Sequence, residues 1–184
     1  MPAVYGKIPR WRDDEAAIDA IPLTGESIVL DIGANIGIMT LIFAKRAKHV
    51  HAFEPAPRSL SLLRLNAPDN CTVHPVAIGD QNGTVHFAEM EAFDMSHVAD
   101  EGIEVPMRTV DSFGLKPDFI KIDVEGYEPQ VLRGAMSTLK AGPIVMFEAL
   151  TPQGFDECRA ILLSANPVYT FADMGSGENF LARV

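Results

Sequence analysis

Five acids stand where chemistry can be done. Asp31 lies in VLDIGANIG (29–37), Glu54 ends HVHAFE (49–54), Asp123 and Glu125 fall in KIDVEGYE (121–128), and Glu148 ends PIVMFE. Short apolar runs bounded by turn residues read as buried strands. Asp31, Glu54, Asp123 and Glu148 therefore fall at strand ends, the edge where open α/β sheets bind ligands. Gly33 permits a tight bend after Asp31, and Gly37 lets backbone come close to a neighbour. The helix that follows offers unpaired N–H groups at its start. The spacing Gly33-x-x-x-Gly37 differs from the dinucleotide fingerprint G-x-G-x-x-G, which disfavours a dehydrogenase. No Lys-Ser/Thr pair follows the second glycine, so a P-loop is excluded.

An acid before such a bend accepts hydrogen bonds from an amine or attracts a cation. Glu54, 23 residues beyond Asp31, suits ribose hydroxyls. S-adenosylmethionine unites amine, ribose diol and sulfonium cation, and is the expected cofactor. On a strand, Lys121, Asp123 and Glu125 would share one face, an unusual row for a buried strand. Asp123 is the first candidate for proton acceptance and Glu125 the second. Glu148 is expected at the acceptor, and Glu128 at the start of the next helix. Tyr127 either stacks on a ligand or anchors the turn. His97, in a long segment able to form a lid over 84–113, is a further substrate-binding candidate. His74 and His86 are alternative bases, whereas His49 and His51 read as packing or surface groups. Phe93, Met95 and Phe113 are candidates for an acceptor pocket. Three carboxylates suit a hard divalent cation, but no histidine joins them at ligand spacing. No metal ligand is assigned, and a cation stays a minor alternative.

The elements that position these residues alternate. Strands read at 27–33, 49–55, 71–79 (interrupted by Pro75), 84–89, 118–124 and 143–149, with an extended start to 105–113; helices read at 36–47, 57–67, 128–139 and 155–165. Two final strands, joined by Gly-Ser-Gly at 175–177, should form a hairpin. Strands apolar throughout and alternating with helices imply a Rossmann-like α/β fold, its mostly parallel sheet covered on both faces. Residues 1–27, including Trp11, Ala16 and Ala17, read as a cap segment before one domain at 28–184. A second full domain does not fit in 184 residues.

Composition narrows the partners. Lys+Arg number 15 against 25 Asp+Glu, a formal net charge of −10, the opposite of a phosphate-tracking surface. Nucleic acid is not the expected partner. Lys45, Arg46 and Lys48 fall near a helix end, where cations suit the dipole. Cys71 and Cys158 are too few for a disulfide framework and read as buried thiols. No membrane span and no signal core are present, so the cytoplasm is the expected location. Oligomeric state stays open.

VLDIGANIG, AFEP (52–55), HPVAIGDQNG (74–83), RTVDSF (108–113), KIDVEGYEPQVLRG (121–134) and FEA (147–149) together resemble a class I S-adenosylmethionine-dependent methyltransferase, and more closely the FkbM-type O-methyltransferases. The resemblance covers about positions 28–150. It implies a seven-stranded sheet with a C-terminal antiparallel hairpin. It also implies cofactor contact by Asp31, Gly33, Ala34, Asn35 and Gly37, with Glu54 on the ribose. Ala77, Ile78, Gly79 and Asp80 would flank adenine. The implied acceptor is a hydroxyl of a sugar, glycolipid or polyketide-like metabolite. An N-methyltransferase, or a non-catalytic cofactor-binding interaction domain, is the alternative. The chain is short beside larger members, which reduces the elements available to cover a substrate.

Overall fold

The structure, a computed structural model, describes residue 18, residues 21–88 and residues 97–184. Eleven strands and five α-helices are described. The strands are β1 (Ile28–Ile32), β2 (His49–Phe53), β3 (Cys71–His74), β4 (Ala77–Ile78), β5 (Gly83–Ala88), β6 (His97–Val98), β7 (Ile103–Arg108), β8 (Phe119–Ile122), β9 (Ile144–Glu148), β10 (Thr170–Asp173) and β11 (Asn179–Arg183). The helices are α1 (Ile38–Ala44), α2 (Pro57–Asn66), α3 (Glu128–Arg133), α4 (Met136–Lys140) and α5 (Pro152–Ala165).

Seven strands form the main sheet in the order β10-β11-β9-β8-β1-β2-β3. The five strands from β3 to β9 are parallel, and β11 and β10 close the other edge antiparallel. The expected hairpin and the mostly parallel sheet are both present. The chain winds outward from β1 through β2 and β3, then restarts on the other side of β1 with β8. That reversal makes the gap between β1 and β8 the topological switch point, where such sheets hold ligands.

Strand periodicity of two sorts the core. Leu30, Ile32, Phe53, Ile120, Ile122 and Phe147 face one layer, packed with Val131, Leu132, Leu139 and Leu162 of α3, α4 and α5. Val29, Val50, Phe119 and Met146 face the other, with Met39 and Phe43 of α1 and with Ile18 and Ile21. Of the expected cap the structure describes residue 18 and residues 21–27, with Ile18 and Ile21 in the core; Trp11, Ala16 and Ala17 lie outside the described residues. Arg46 donates to the carbonyls of Ile18 (2.8 Å) and Ile21 (2.6 Å), while Lys48 pairs with Glu26. Arg46 and Lys48 thus tie the incoming chain down, while Lys45 is the C-cap of α1, so the cluster does fall at a helix end.

Two expected elements divide. The strand over 71–79 breaks at Pro75, which cannot donate to a ladder. Its halves join different sheets, β3 the main one and β4 a second, four-stranded sheet of order β4-β7-β5-β6. The helix over 128–139 breaks at Gly134 into α3 and α4. Gly134 fits there because a Cβ would lie 2.0 Å from the Gly79 carbonyl oxygen. Asp111, some 26 residues earlier, caps α4 by accepting from Ser137 N (2.7 Å) and Thr138 N (2.8 Å). Among the described residues no helix is long and apolar enough to cross a membrane.

Candidate active site

The register aligns Ala52, Asp31, Lys121 and Met146 across β2, β1, β8 and β9. At the carboxyl ends, Glu54, Gly33 and Asp123 directly follow β2, β1 and β8, and Glu148 is the last residue of β9. The sheet itself therefore assembles a row of three acids around a glycine. Glu125 joins them from the turn after β8. Ligand oxygens of Asp123, Glu125 and Glu148 all lie within 4.8 Å of one another.

Lys121 is buried beneath this row. Its Nζ donates to the Gly33 carbonyl oxygen at 2.9 Å and lies 3.1 Å from Asp123 and 3.6 Å from Asp31. Burial alone would lower its pKa; the charges of Asp123 and Asp31 outweigh burial and raise it. Lys121 is thus a fixed cation set between Asp123 and Asp31. Asp31 has no exposed surface, and its second oxygen accepts from Thr40 Oγ1 at 2.5 Å. Asp31 does not face a cleft as the sequence led us to expect. It acts as a strut joining β1, α1 and Lys121.

The glycine loop is tied to β2. The N–H groups of Gly33 (3.1 Å) and Ala34 (3.0 Å) both donate to the Phe53 carbonyl oxygen. Glu54 accepts from Asn35 N and from Ala56 N, each at 2.8 Å. It thereby clamps the loop to the start of α2. Each carboxylate oxygen keeps acceptor capacity for a ligand hydroxyl. Burial pushes the Glu54 carboxyl up to about 7, against the pull of those two amides. Gly33 and Asn35 take positive φ, 76° and 50°. What presses on the bare backbone is protein. A Cβ on Gly33 would sit 1.8 Å from the Asp123 carbonyl oxygen, and one on Gly37 2.8 Å from Leu63. Gly37 thus admits α2 rather than a ligand.

Lys121, Asp123 and Glu125 do not share a strand face, because β8 ends at Ile122. Glu125 stands instead in a left-handed turn at φ 54°. Glu128 fixes that turn by accepting from Val124 N (3.0 Å) and Gly126 N (3.2 Å), so its role is loop-holding. Glu148 closes β9 with Oε2 buried and without a hydrogen-bond partner among the described residues. Burial, then the Asp123 and Glu125 charges, push its carboxyl up to about 8.

The remaining candidates fall in two places. Tyr127 precedes α3 beside Gly79 and Met107, and Asp80 raises its pKa after burial does. Ala77 and Ile78 are buried in β4, while Asp80 is exposed. Tyr127 thus stands with the expected adenine-flanking segment, not with the acid row. His97 lies in β6 at the edge of the second sheet, paired with Ala88, and His86 on β5 of the same sheet. Phe113 packs on Phe53 and His74. Phe93 and Met95 lie outside the described residues. Thr40, and Lys121 as the charge centre of the site, were missed as site residues. Thr40 sits nine positions after Asp31 with nothing local to mark it; Lys121 was visible as a charge within an apolar strand.

Three acids thus lie near the switch point of an α/β sheet, beside a glycine turn. The methyltransferase FkbM domain matches residues 31–174, and the chain belongs to that family. It is 32% identical over 161 residues to the hexuronic acid methyltransferase AglP of Haloferax volcanii, covering 77% of this chain and 66% of that protein. It is 26% identical over 152 residues to methyltransferase 1 of Beauveria bassiana, covering 63% of this chain and 61% of the relative. The crystal structure of the FkbM methyltransferase of Methylobacillus flagellatus superposes with a TM-score of 0.70 at 20% identity, covering 90% of this chain and 45% of that one. The chain thus spans about two-thirds of the curated relatives' length and under half of that structure's.

Proposed function

We propose that this chain is an S-adenosylmethionine-dependent O-methyltransferase acting on a sugar hydroxyl of a small molecule. The observation that carries this reading is the row Glu54–Gly33–Asp123–Glu148, set across four strand ends of an FkbM-family fold. The residues suit the cofactor. Glu54 offers acceptor positions for a ribose diol, and Asp80 is exposed beside Tyr127 at the segment expected to flank adenine. Oε2 of Glu148 lacks a hydrogen-bond partner among the described residues, so this edge has a polar group left to satisfy.

When bound, the cofactor supplies a methyl group already activated by positive sulfur. The chain's own work is alignment and proton handling. Asp123, ion-paired with Lys121, accepts a hydrogen bond from the acceptor hydroxyl and orients its oxygen. Glu125, whose carboxylate oxygen lies within 4.8 Å of that of Asp123, stands within reach to share the released proton. A divalent cation held by Asp123, Glu125 and Glu148 is a second arrangement the same oxygens permit. The acid row also bears on the acceptor. A relative methylates a hexuronic acid, but a carboxylate-bearing acceptor would be repelled here without a bridging cation. An uncharged polyol fits better. Two free thiols accord with a reducing compartment such as the cytoplasm.

Labelled methyl donor offered with a panel of neutral sugars and glycosides tests the proposal. We expect transfer to a hydroxyl, falling by about 10²-fold or more in Asp123→Asn. Donor binding without transfer to any acceptor in the panel would favour a binding domain instead, and transfer to amines alone would favour the N-methyl reading.

A further inference from the structure

We propose that His51 and His74, with His49 beside them, form a binding site for a borderline divalent metal ion such as Zn²⁺ or Cu²⁺, separate from the acid row. The site arises from strand periodicity. His49 and His51 are two apart on β2 and share a face with Phe53; Thr72 and His74 present the same face on the edge strand β3. His51 Nδ1 and His74 Nε2 face each other 3.0 Å apart. Two nitrogens at that separation, each at the usual 2.0–2.1 Å from a metal, subtend about 95° at the ion, a normal angle between neighbouring ligands.

The rings are held in place. His74 stacks on Phe53 with centroids 4.5 Å apart and meets the edge of Phe113 at 5.2 Å. The His49 centroid lies 4.8 Å from that of His51, and its Nε2 hydrogen-bonds Thr72 Oγ1 at 2.8 Å. Burial first, and neighbouring imidazoles second, hold both His51 and His74 below the usual histidine range, His51 to about 4. Both rings are therefore neutral near pH 7 and do not need to shed a proton to ligate. The inner proton of the present hydrogen bond moves through solvent to the outer nitrogen of the same ring. Each ring stays neutral, and metal entry releases no net proton. Neutral imidazoles without a carboxylate among the charges that shift them suit Zn²⁺, Cu²⁺ or Ni²⁺ and not Mg²⁺ or Ca²⁺. The oxygen cluster at Asp123 has the reverse preference.

The test is calorimetric titration of the tag-free full chain with Zn²⁺ alone at neutral pH. We expect one saturable site that survives in Asp123→Asn/Glu148→Gln. His51→Gln or His74→Gln should weaken it by more than the roughly 10–100-fold that follows loss of an outer-shell partner. Zn²⁺ affinity unchanged in both histidine variants, its loss in the carboxylate variant, or no saturable site in the wild type would overturn the proposal. A second reading needs no variant. Cu²⁺ bound to the wild type should show electron-paramagnetic hyperfine splitting from at least two nitrogens, and an oxygen-only spectrum would contradict the site.

Discussion

Lys121 sets the charge balance of the acid row. It is buried between Asp31 and Asp123 and also holds the Gly33 carbonyl, so one side chain couples β1, β8 and the glycine loop. Removing one partner from a buried ionic set leaves a charge without compensation. Lys121→Met should cost about 3–5 kcal/mol in a urea unfolding experiment, and a loss below about 1 kcal/mol would show that the set is dispensable. Glu54 gives a pH signature. Its folded pKa of about 7 lies above its usual value of 4.5, so the folded state binds the proton more tightly. The resulting stabilisation is complete below 4.5 and disappears as pH rises through about 7. Ligand affinity moves the other way, because the anion is the better acceptor for ribose hydroxyls. Affinity for S-adenosylhomocysteine should rise through pH 7 in the wild type and stay flat and weak in Glu54→Gln. A pH-independent wild type would remove Glu54 from the ribose.

Among the elements, the turn at Gly33 is the least replaceable. Gly33→Ala would meet both a left-handed φ and the Asp123 carbonyl. The left-handed conformation costs roughly 1–2 kcal/mol and the overpacking about 1–3 more. Thermal unfolding should show a loss near 3 kcal/mol; Gly25→Ala, where a Cβ meets nothing within 4 Å, serves as the neutral reference. The strands and their order of chemistry were readable because apolar runs end in acids at the ligand edge. The division at Gly134 was not. It depends on the Gly79 carbonyl and on the Asp111 cap, both remote in sequence. The reach of Asp31 was misread for a related reason: Thr40 and Lys121 enclose it, and enclosure is tertiary. The histidine face was passed over because His49 and His51, taken singly, read as packing and His74 as an alternative base; only the β2–β3 register brings His51 to His74.

At the scale of the molecule, one sheet presents acids along its carboxyl edge while a second, four-stranded sheet carries His86 and His97 to one side. The net charge of −10 adds to the preference for an uncharged acceptor. The whole account depends on a nucleoside lying along the row from Glu54 to Glu148. A crystal structure of the chain with S-adenosylhomocysteine measures this directly. We predict the ribose hydroxyls within hydrogen-bond distance of Glu54 and the sulfur turned toward Asp123 and Glu148. A nucleoside bound away from the β1–β8 switch point, with Glu54 making no contact to it, would contradict the assignment.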